Sequence, residues 1–309
     1  MSEAPEKLIL LTELPTDLRA ALAETYELVM HTDDNTQGIR IAVTTAMRGL
    51  SAQDLETFPE VSLVLSQGVG LEKLDLVAAT AHGVVVSVTP NILTEDVADF
   101  AIGLTYAITR RIAEADRFVR AGRWGGERIR PSTSVHKKRM GVVGMGRIGQ
   151  AIARRAAGLG MEVCYFSRIR NTALPYDYAA SPQDLAKVSD VLVLACPGGP
   201  ATENLCDRSV LDALGPQGFL INIARGSVVD EVALLAALEG DEIAGAGLDV
   251  FATEPALNAR FIALDNVVLT PHSASVTQEV RAELICNMLS EAHNFIAGRP
   301  LKNVANPAD

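Results

Sequence analysis

The sequence is short of the features that mark several whole classes of protein. Its four cysteines, Cys164, Cys196, Cys206 and Cys286, are dispersed with no CxxC pair and no zinc-ligand spacing. Neither a disulfide framework nor a structural metal is therefore expected, and the thiols read as small, reduced core residues. No apolar run reaches the roughly 18 to 20 residues needed to span a bilayer, and "MSEAPEK" lacks the basic start and apolar core of a secretion signal. A cytoplasmic location is the expectation. Positive charge is scarce too: 27 Lys and Arg against 38 Asp and Glu leave a formal net charge of −11. That argues against a nucleic-acid surface, which needs clustered basic side chains, so any anionic ligand must be held by a local site. The single tryptophan, Trp124 in "GRW", reads equally as a pocket, subunit-contact or packing residue. Neither a short fixed-period repeat nor a low-complexity tract is found.

What is there is a globular composition, 48% hydrophobic and 21% charged, in a chain of 309 residues, long enough for two domains with a core each. Apolar runs at 7–12, 27–31, 39–45, 61–67 and 84–88 alternate with helical patterns such as "LPTDLRAALAET" and "LEKLDLVAATAHG". This alternation is the βαβ signature of a mainly parallel sheet. From Thr94 a proline-free helical pattern runs 29 residues to "AG" at 121–122, a length suited to a bridge or a subunit interface. A second series of apolar runs follows a polar stretch, at 139–144, 161–166, 190–196, 218–224, 243–250 and 266–270. The last long amphipathic segment, "SVTQEVRAELICNMLSEAHNFIAG", is expected to pack back on the first unit and make that domain discontinuous.

Within "VVGMGRIGQAIA", Gly144, Gly146 and Gly149 form GxGxxG between an apolar run and an alanine-rich helix. The first glycine permits the tight turn, the second lets backbone approach a pyrophosphate, and the third lets helix and strand pack closely. The helix start supplies free N–H groups and partial positive charge for that phosphate. After the next strand, a site that prefers NAD carries Asp or Glu for the ribose 2′-hydroxyl. This chain has Ser167, Arg168 and Arg170 there. Guanidinium groups and a hydroxyl can hold a 2′-phosphate by charge-assisted hydrogen bonds, so NADPH is predicted over NADH. Arg225, Asp249, Glu254 and His272 all follow later strands, whose carboxyl ends border the ligand crevice of an open parallel sheet.

At these segments, and at "SQGVGLEKLD", "TPNILTEDVADFAIGL", "RAGRW", "ACPGGPATENL", "INIARGSVVDE", "AGAGLDVFATEP" and "LTPHSAS", the chain resembles the D-2-hydroxyacid dehydrogenases, most closely their glyoxylate/hydroxypyruvate reductase branch. The resemblance implies two Rossmann-like or flavodoxin-like α/β domains with mainly parallel sheets and a cleft between them. The substrate domain would be discontinuous, residues 1–97 plus 284–309, and the dinucleotide-binding domain would be 98–283. It also implies a homodimer, a small 2-oxo acid substrate and no metal.

Residue by residue, the resemblance makes His272 the acid/base and Glu254 its partner. A neutral imidazole has one N–H, whereas the protonated ring can donate to substrate and carboxylate together, so Glu254 would favour the imidazolium and fix its orientation. Arg225 would hold the substrate's keto oxygen and carboxylate. The backbone amides of Val69 and Gly70 would bind that carboxylate in a nest that Gly68 and Gly70 permit. Asp249 would receive the nicotinamide carboxamide, Cys196 and Pro197 would lie under the adenosine, and Thr94 would touch the cofactor at the interdomain hinge. Arg147, Ile148, Thr202, Ile223, Ala224 and Ala274, with Arg225 and His272, complete the expected cofactor-binding residues. His31, His82, His136 and His293 are expected to be structural. Glu72 and Ala274 depart from the usual Asp and Gly, which bears on pocket shape, and Asn91 fits the glyoxylate/hydroxypyruvate branch. A 2-ketogluconate or aromatic 2-oxo acid reductase on the same site is the alternative within the enzyme class. The other class is a dinucleotide-sensing scaffold like the corepressors that share this fold, against which stands the lack of a long tail or insert for partners.

Overall fold

A computed structural model of the chain describes residues 5–306. It divides into two compact units: one takes in the chain up to Leu93 together with the segment from Val276 onward, and the other is Thr94–Ser275. The divisions therefore fall at 93/94 and 275/276, not at the expected 97/98 and 283/284. Each lies just ahead of a helix, so neither helix is cut: one begins at Thr94 and the other at Gln278.

The first unit holds five strands: β1 (Lys7–Leu10), β2 (Glu27–Met30), β3 (Ile41–Thr45), β4 (Leu63–Gln67) and β5 (Val85–Ser87). They lie in the order β2-β1-β3-β4-β5 and every pairing is parallel. Parallel strands are covered on both faces, which is why they read as near-continuous apolar runs. Alternate residues serve opposite faces. Ile9, Val64 and Val86 pack with Leu55 and Ala79 on one side, while Leu8, Leu10, Ile41 and Leu63 pack with Leu18 and Leu22 on the other. Met288 and Ala292 of the helix Gln278–Ile296 join the second cluster, which completes the unit from the far end of the chain. Thr277 caps that helix, its side chain accepting from the Val280 N–H. Beyond it, Val304 pairs antiparallel with Ser87, covering the backbone edge of β5.

The second unit holds β6 (Arg139–Val143), β7 (Glu162–Phe166), β8 (Asp177–Tyr178), β9 (Val191–Leu194), β10 (Phe219–Asn222), β11 (Gly245–Leu248) and β12 (Val267–Leu269). Their order is β12-β11-β10-β9-β6-β7-β8, again all parallel. The winding reverses between β6 and β9, the topological switch point at which such sheets bind ligands. Gly245 and Gly247 let the helix Thr94–Thr109 lie close on β11: a Cβ on Gly247 would stand 3.2 Å from Leu104 Cβ.

The helix expected over 94–122 is two helices, Thr94–Thr109 and Ile112–Arg120. Arg111 between them has φ 56°, a left-handed conformation that a right-handed helix cannot contain. Its Nε donates to Glu114 at 2.6 Å, so the break is held by the side chain. Among the described residues no helix is long and apolar enough to cross a membrane, and no cluster of His, Cys, Asp or Glu is arranged to hold a metal ion.

Candidate active site

The glycine turn sits at the switch point for steric reasons that can be read atom by atom. Gly144 follows β6 with φ 94°, and a Cβ there would lie 2.7 Å from the Cys196 backbone after β9. At Gly149 a Cβ would lie 2.0 Å from the Gly144 carbonyl oxygen, so strand and helix touch only because neither glycine has a side chain. Gly146 differs: a Cβ would meet nothing within 4 Å, and the residue is the exposed N-cap of the helix Arg147–Gly158. Two closed glycines and one open one fit a dinucleotide whose pyrophosphate lies on the helix start. Arg147 is exposed there and Ile148 is partly buried.

Across the switch point, Cys196 is 9% exposed and burial pushes its thiol up to about 11, the behaviour of a packing residue. Pro197 is exposed, and Thr202 Oγ1 donates to the Pro197 carbonyl at 2.7 Å, folding that loop back on itself. After β7, Arg168 and Arg170 are both exposed. The Ser167 hydroxyl donates to the Ile169 carbonyl at 2.7 Å, so in this structure it closes the basic turn. Thr94 is partly buried at the start of its helix.

The expected acid/base pair is assembled within this one unit. His272 Nδ1 and Glu254 Oε2 are 2.7 Å apart, although the residues are 18 apart in sequence. An ionised carboxylate only accepts, so Nδ1–H is the donor and Nε2 is the nitrogen left to face a ligand. The imidazole side chain is 34% exposed and the carboxylate 16%, an open ring over a covered partner. Burial tends to raise the Glu254 carboxyl. The His272 hydrogen bond, the Phe251 N–H at 2.8 Å and the charges of His272 and Arg225 outweigh it and hold the group below its ordinary value. Glu254 is thus ionised at neutral pH.

Arg225 follows β10, partly buried, with Nη1 donating to the Ala224 carbonyl at 2.7 Å. Its loop is built by Asn222, 1% exposed, whose Nδ2 donates to the Arg225 carbonyl and whose Oδ1 accepts from the Ala224 N–H. Ile223 and Ala224, 7% and 4% exposed, lie buried within it.

Asp249 follows β11 and is held by the turn beyond β12. It is 1% exposed: Oδ1 accepts from Thr270 Oγ1 at 2.6 Å and from the Ser273 N–H at 2.8 Å, and Oδ2 accepts from the Ala274 N–H at 2.9 Å. These hydrogen bonds tie down the turn that carries His272, whose φ of 51° is left-handed. Ala274 is buried on the same turn.

Val69 and Gly70 belong to the first unit, at the end of β4. Gly68 has φ 118°, and its N–H donates to Thr89 Oγ1 at 2.9 Å while that hydroxyl donates back to the Gly68 carbonyl at 3.0 Å. Val69 is exposed and Gly70 buried. Asn222, Gly226, Thr270 and Thr89 thus shape the two loop sets without having been singled out in the sequence. The partners of Gly226, Thr270 and Thr89 are distant in the chain, and only Asn222, whose partners lie within "N-x-x-R-G" around Arg225, offered a local signal.

A doubly wound sheet with a dinucleotide turn at its switch point, and an imidazole–carboxylate pair at its strand ends, defines a nicotinamide-nucleotide-dependent oxidoreductase. Residues 102–274 match the model of the D-isomer specific 2-hydroxyacid dehydrogenase NAD-binding domain. The chain belongs to the D-isomer-specific 2-hydroxyacid dehydrogenase family. It is 44% identical over 268 residues to a hydroxyphenylpyruvate reductase of Plectranthus scutellarioides, covering 86% of this chain and 85% of that one. To a 2-ketogluconate reductase of Gluconobacter oxydans it is 40% identical, over 92% and 93% of the two chains. Its structure is similar to that of an NADPH-dependent glyoxylate/hydroxypyruvate reductase from Sinorhizobium meliloti in complex with NADP and malonate, with TM-score 0.91, 32% identity and coverage of 98% and 97%.

Proposed function

We propose that this chain reduces a small 2-oxo acid to the D-2-hydroxy acid with NADPH, glyoxylate or hydroxypyruvate being the favoured substrates. The observation that carries the reading is the 2.7 Å contact between His272 Nδ1 and Glu254 on loops next to Arg225. With Nδ1–H donated to the carboxylate, the protonated ring gives its Nε2 proton to the carbonyl oxygen that becomes the product hydroxyl. Glu254 stabilises the charge the ring carries beforehand. The Arg225 guanidinium engages the keto oxygen and the carboxylate, which polarises the carbonyl and fixes its face. The Val69 and Gly70 amides, after β4, can hold a carboxylate in a backbone nest. The reduced nicotinamide, when bound, supplies the hydride.

Support for NADPH comes from Arg168 and Arg170 after β7, where a ribose-binding acid would otherwise repel a phosphate, and from the cofactor of the Sinorhizobium meliloti enzyme. The same chain is proposed to be a homodimer, an arrangement in keeping with the exposure of Trp124 at 74% and Val119 at 52% beside a surface cavity of about 620 Å³. Light scattering of the purified chain tests it: a monomer mass excludes the assembly.

A second reading, an aromatic 2-oxo acid, is favoured by three exposed apolar side chains around the nest in the first unit: Met47, Val69 and Leu71 at 47%, 37% and 43%. The hydroxyphenylpyruvate reductase relative is of this kind. A screen of kcat/KM with NADPH and NADH over glyoxylate, hydroxypyruvate, 2-ketogluconate and hydroxyphenylpyruvate, with His272→Ala as control, separates these. Preference for NADH overturns the cofactor assignment, full activity of the variant overturns the acid/base role, and reduction of none of the acids overturns the enzyme reading.

A further inference from the structure

The NADPH reading rests on two exposed arginines, and exposure alone gives a long side chain no fixed place. Both backbone and side-chain freedom would have to be lost on binding, and an arginine carries about 2 kcal/mol of rotamer entropy. The structure supplies a device that removes much of that freedom in advance. We propose that Tyr178, seated on Tyr165, is the positioning residue that gives this chain its recognition of a 2′-phosphorylated adenosine. The inference rests on the cofactor reading above and deepens it.

Tyr165 is the foundation. It is 1% exposed, and its one hydroxyl fixes both backbone groups of Asn171: it donates to the Asn171 carbonyl at 2.9 Å and accepts from the Asn171 N–H at 3.0 Å. The far end of the basic turn is thereby pinned to the strand it left. Asn171 then closes the next turn, its Oδ1 accepting from the Ala173 N–H at 3.1 Å.

Tyr178 secures the near end and the cation between. Its ring meets Tyr165 edge-on, with centroids 5.4 Å apart and planes at 66°, a favourable aromatic geometry. Its hydroxyl donates to the Ser167 carbonyl at 3.2 Å, and Arg170 Cζ lies over its ring, 5.6 Å from the centroid. One side chain therefore touches both Ser167 and Arg170. A guanidinium held by its face keeps the N–H groups at its edge for a phosphate, which a carboxylate ion pair would occupy instead. Neither Arg168 nor Arg170 has a carboxylate partner among the described residues.

The otherwise unexplained strand β8 has a purpose in this arrangement. It is only two residues long, and its register sets Tyr178 directly opposite Tyr165. So short a strand adds little to the sheet, but it delivers the tyrosine to the edge of the basic turn.

The test is calorimetric binding of 2′,5′-ADP and of 5′-AMP to the full chain without turnover, since the two ligands differ in the 2′-phosphate. The unsubstituted chain should bind 2′,5′-ADP more tightly. Tyr178→Leu should weaken that binding roughly two- to five-fold and leave 5′-AMP unchanged, while Tyr178→Phe, which keeps the ring, should retain most of the difference. In an Arg170→Leu background the Tyr178→Leu effect should vanish, because its object is gone. If Tyr178→Leu keeps the preference, or loses both ligands alike, the positioning role is wrong although the cofactor reading stands. If the unsubstituted chain binds both ligands equally, the cofactor reading fails and the inference with it.

Discussion

Gly226 rests directly on the backbone of Phe251: a Cβ on the glycine would lie 1.9 Å from the Phe251 carbonyl carbon. Gly226 follows Arg225, and the Phe251 N–H donates to Glu254, so this contact joins the loop of Arg225 to the loop of Glu254. No rotamer change relieves a clash with backbone. Gly226→Ala is expected to destabilise the chain by about 1 to 3 kcal/mol and, by separating the two loops, to lower kcat/KM at least about tenfold. Thermal denaturation together with steady-state kinetics checks both, and a fully active variant would show the two loops to be independent.

Replacing Glu254 by Gln preserves the shape of the contact with His272 but removes its charge. The carboxylate is ionised at neutral pH and can stabilise a positively charged ring, whereas an amide cannot. The expected result is a loss of about 10²-fold in kcat with little change in stability. Steady-state rates with saturating cofactor decide it; a variant within twofold of the parent would remove Glu254 from the chemistry.

These expectations depend on different degrees of legibility in the sequence. Most strands could be read because they are buried on both faces and therefore run apolar almost without interruption, as "VLVL" of β9 does, whereas the two-residue β8, "DY", could not. The helix break at Arg111 could not, since the apolar spacing carries on through Ile108, Ile112 and Phe118 and neither glycine nor proline marks the turn. In the site, the glycine turn was legible because its constraints are local: Gly149 meets Gly144, five residues away. Asp249 could be singled out in the sequence but its contacts could not, because its partners Thr270, Ser273 and Ala274 come from another strand end. Tyr178 and Thr89 were not singled out for the same reason.

Asp249 is expected to act on catalysis through the loop it holds. Its two oxygens accept from two backbone N–H groups and one hydroxyl on the turn around His272. Asn has only one acceptor oxygen, so Asp249→Asn must turn an NH2 toward a backbone N–H. Leaving a buried donor unpaired costs about 1 to 3 kcal/mol. The His272 backbone is left-handed at φ 51°, and the loosened turn should relax from it and carry the imidazole off Glu254. Lower thermal stability together with at least a tenfold lower kcat is the expected pair of outcomes. Lower stability with an unchanged rate would mean that the turn keeps its shape without the carboxylate.

The acid sensitivity of the first unit should trace in part to Asp54. This residue closes the capping box of the helix Ala52–Thr57 with Ser51 and is paired with Arg48, whose Nη2 donates to Oδ1 at 2.7 Å. Burial pushes the carboxyl up, but the hydrogen bonds from Arg48 and Ser51 and the Arg48 charge more than reverse this and hold it at about 2, against an ordinary 3.8. A depressed folded-state value means the unfolded chain takes up the proton first, so the stabilisation is complete above about pH 4 and fades as pH falls toward 2. Its size, for a side chain 13% exposed that is held that far below its ordinary value, is about 2 kcal/mol. Asp54→Asn should therefore be less stable than the parent by about that amount at pH 7 and at pH 5, and the gap should narrow as the buffer is taken from pH 4 to pH 3. Urea unfolding followed at each pH measures it, and a gap that stays constant down to pH 3 would show that the cap geometry, not the charge, carries the effect.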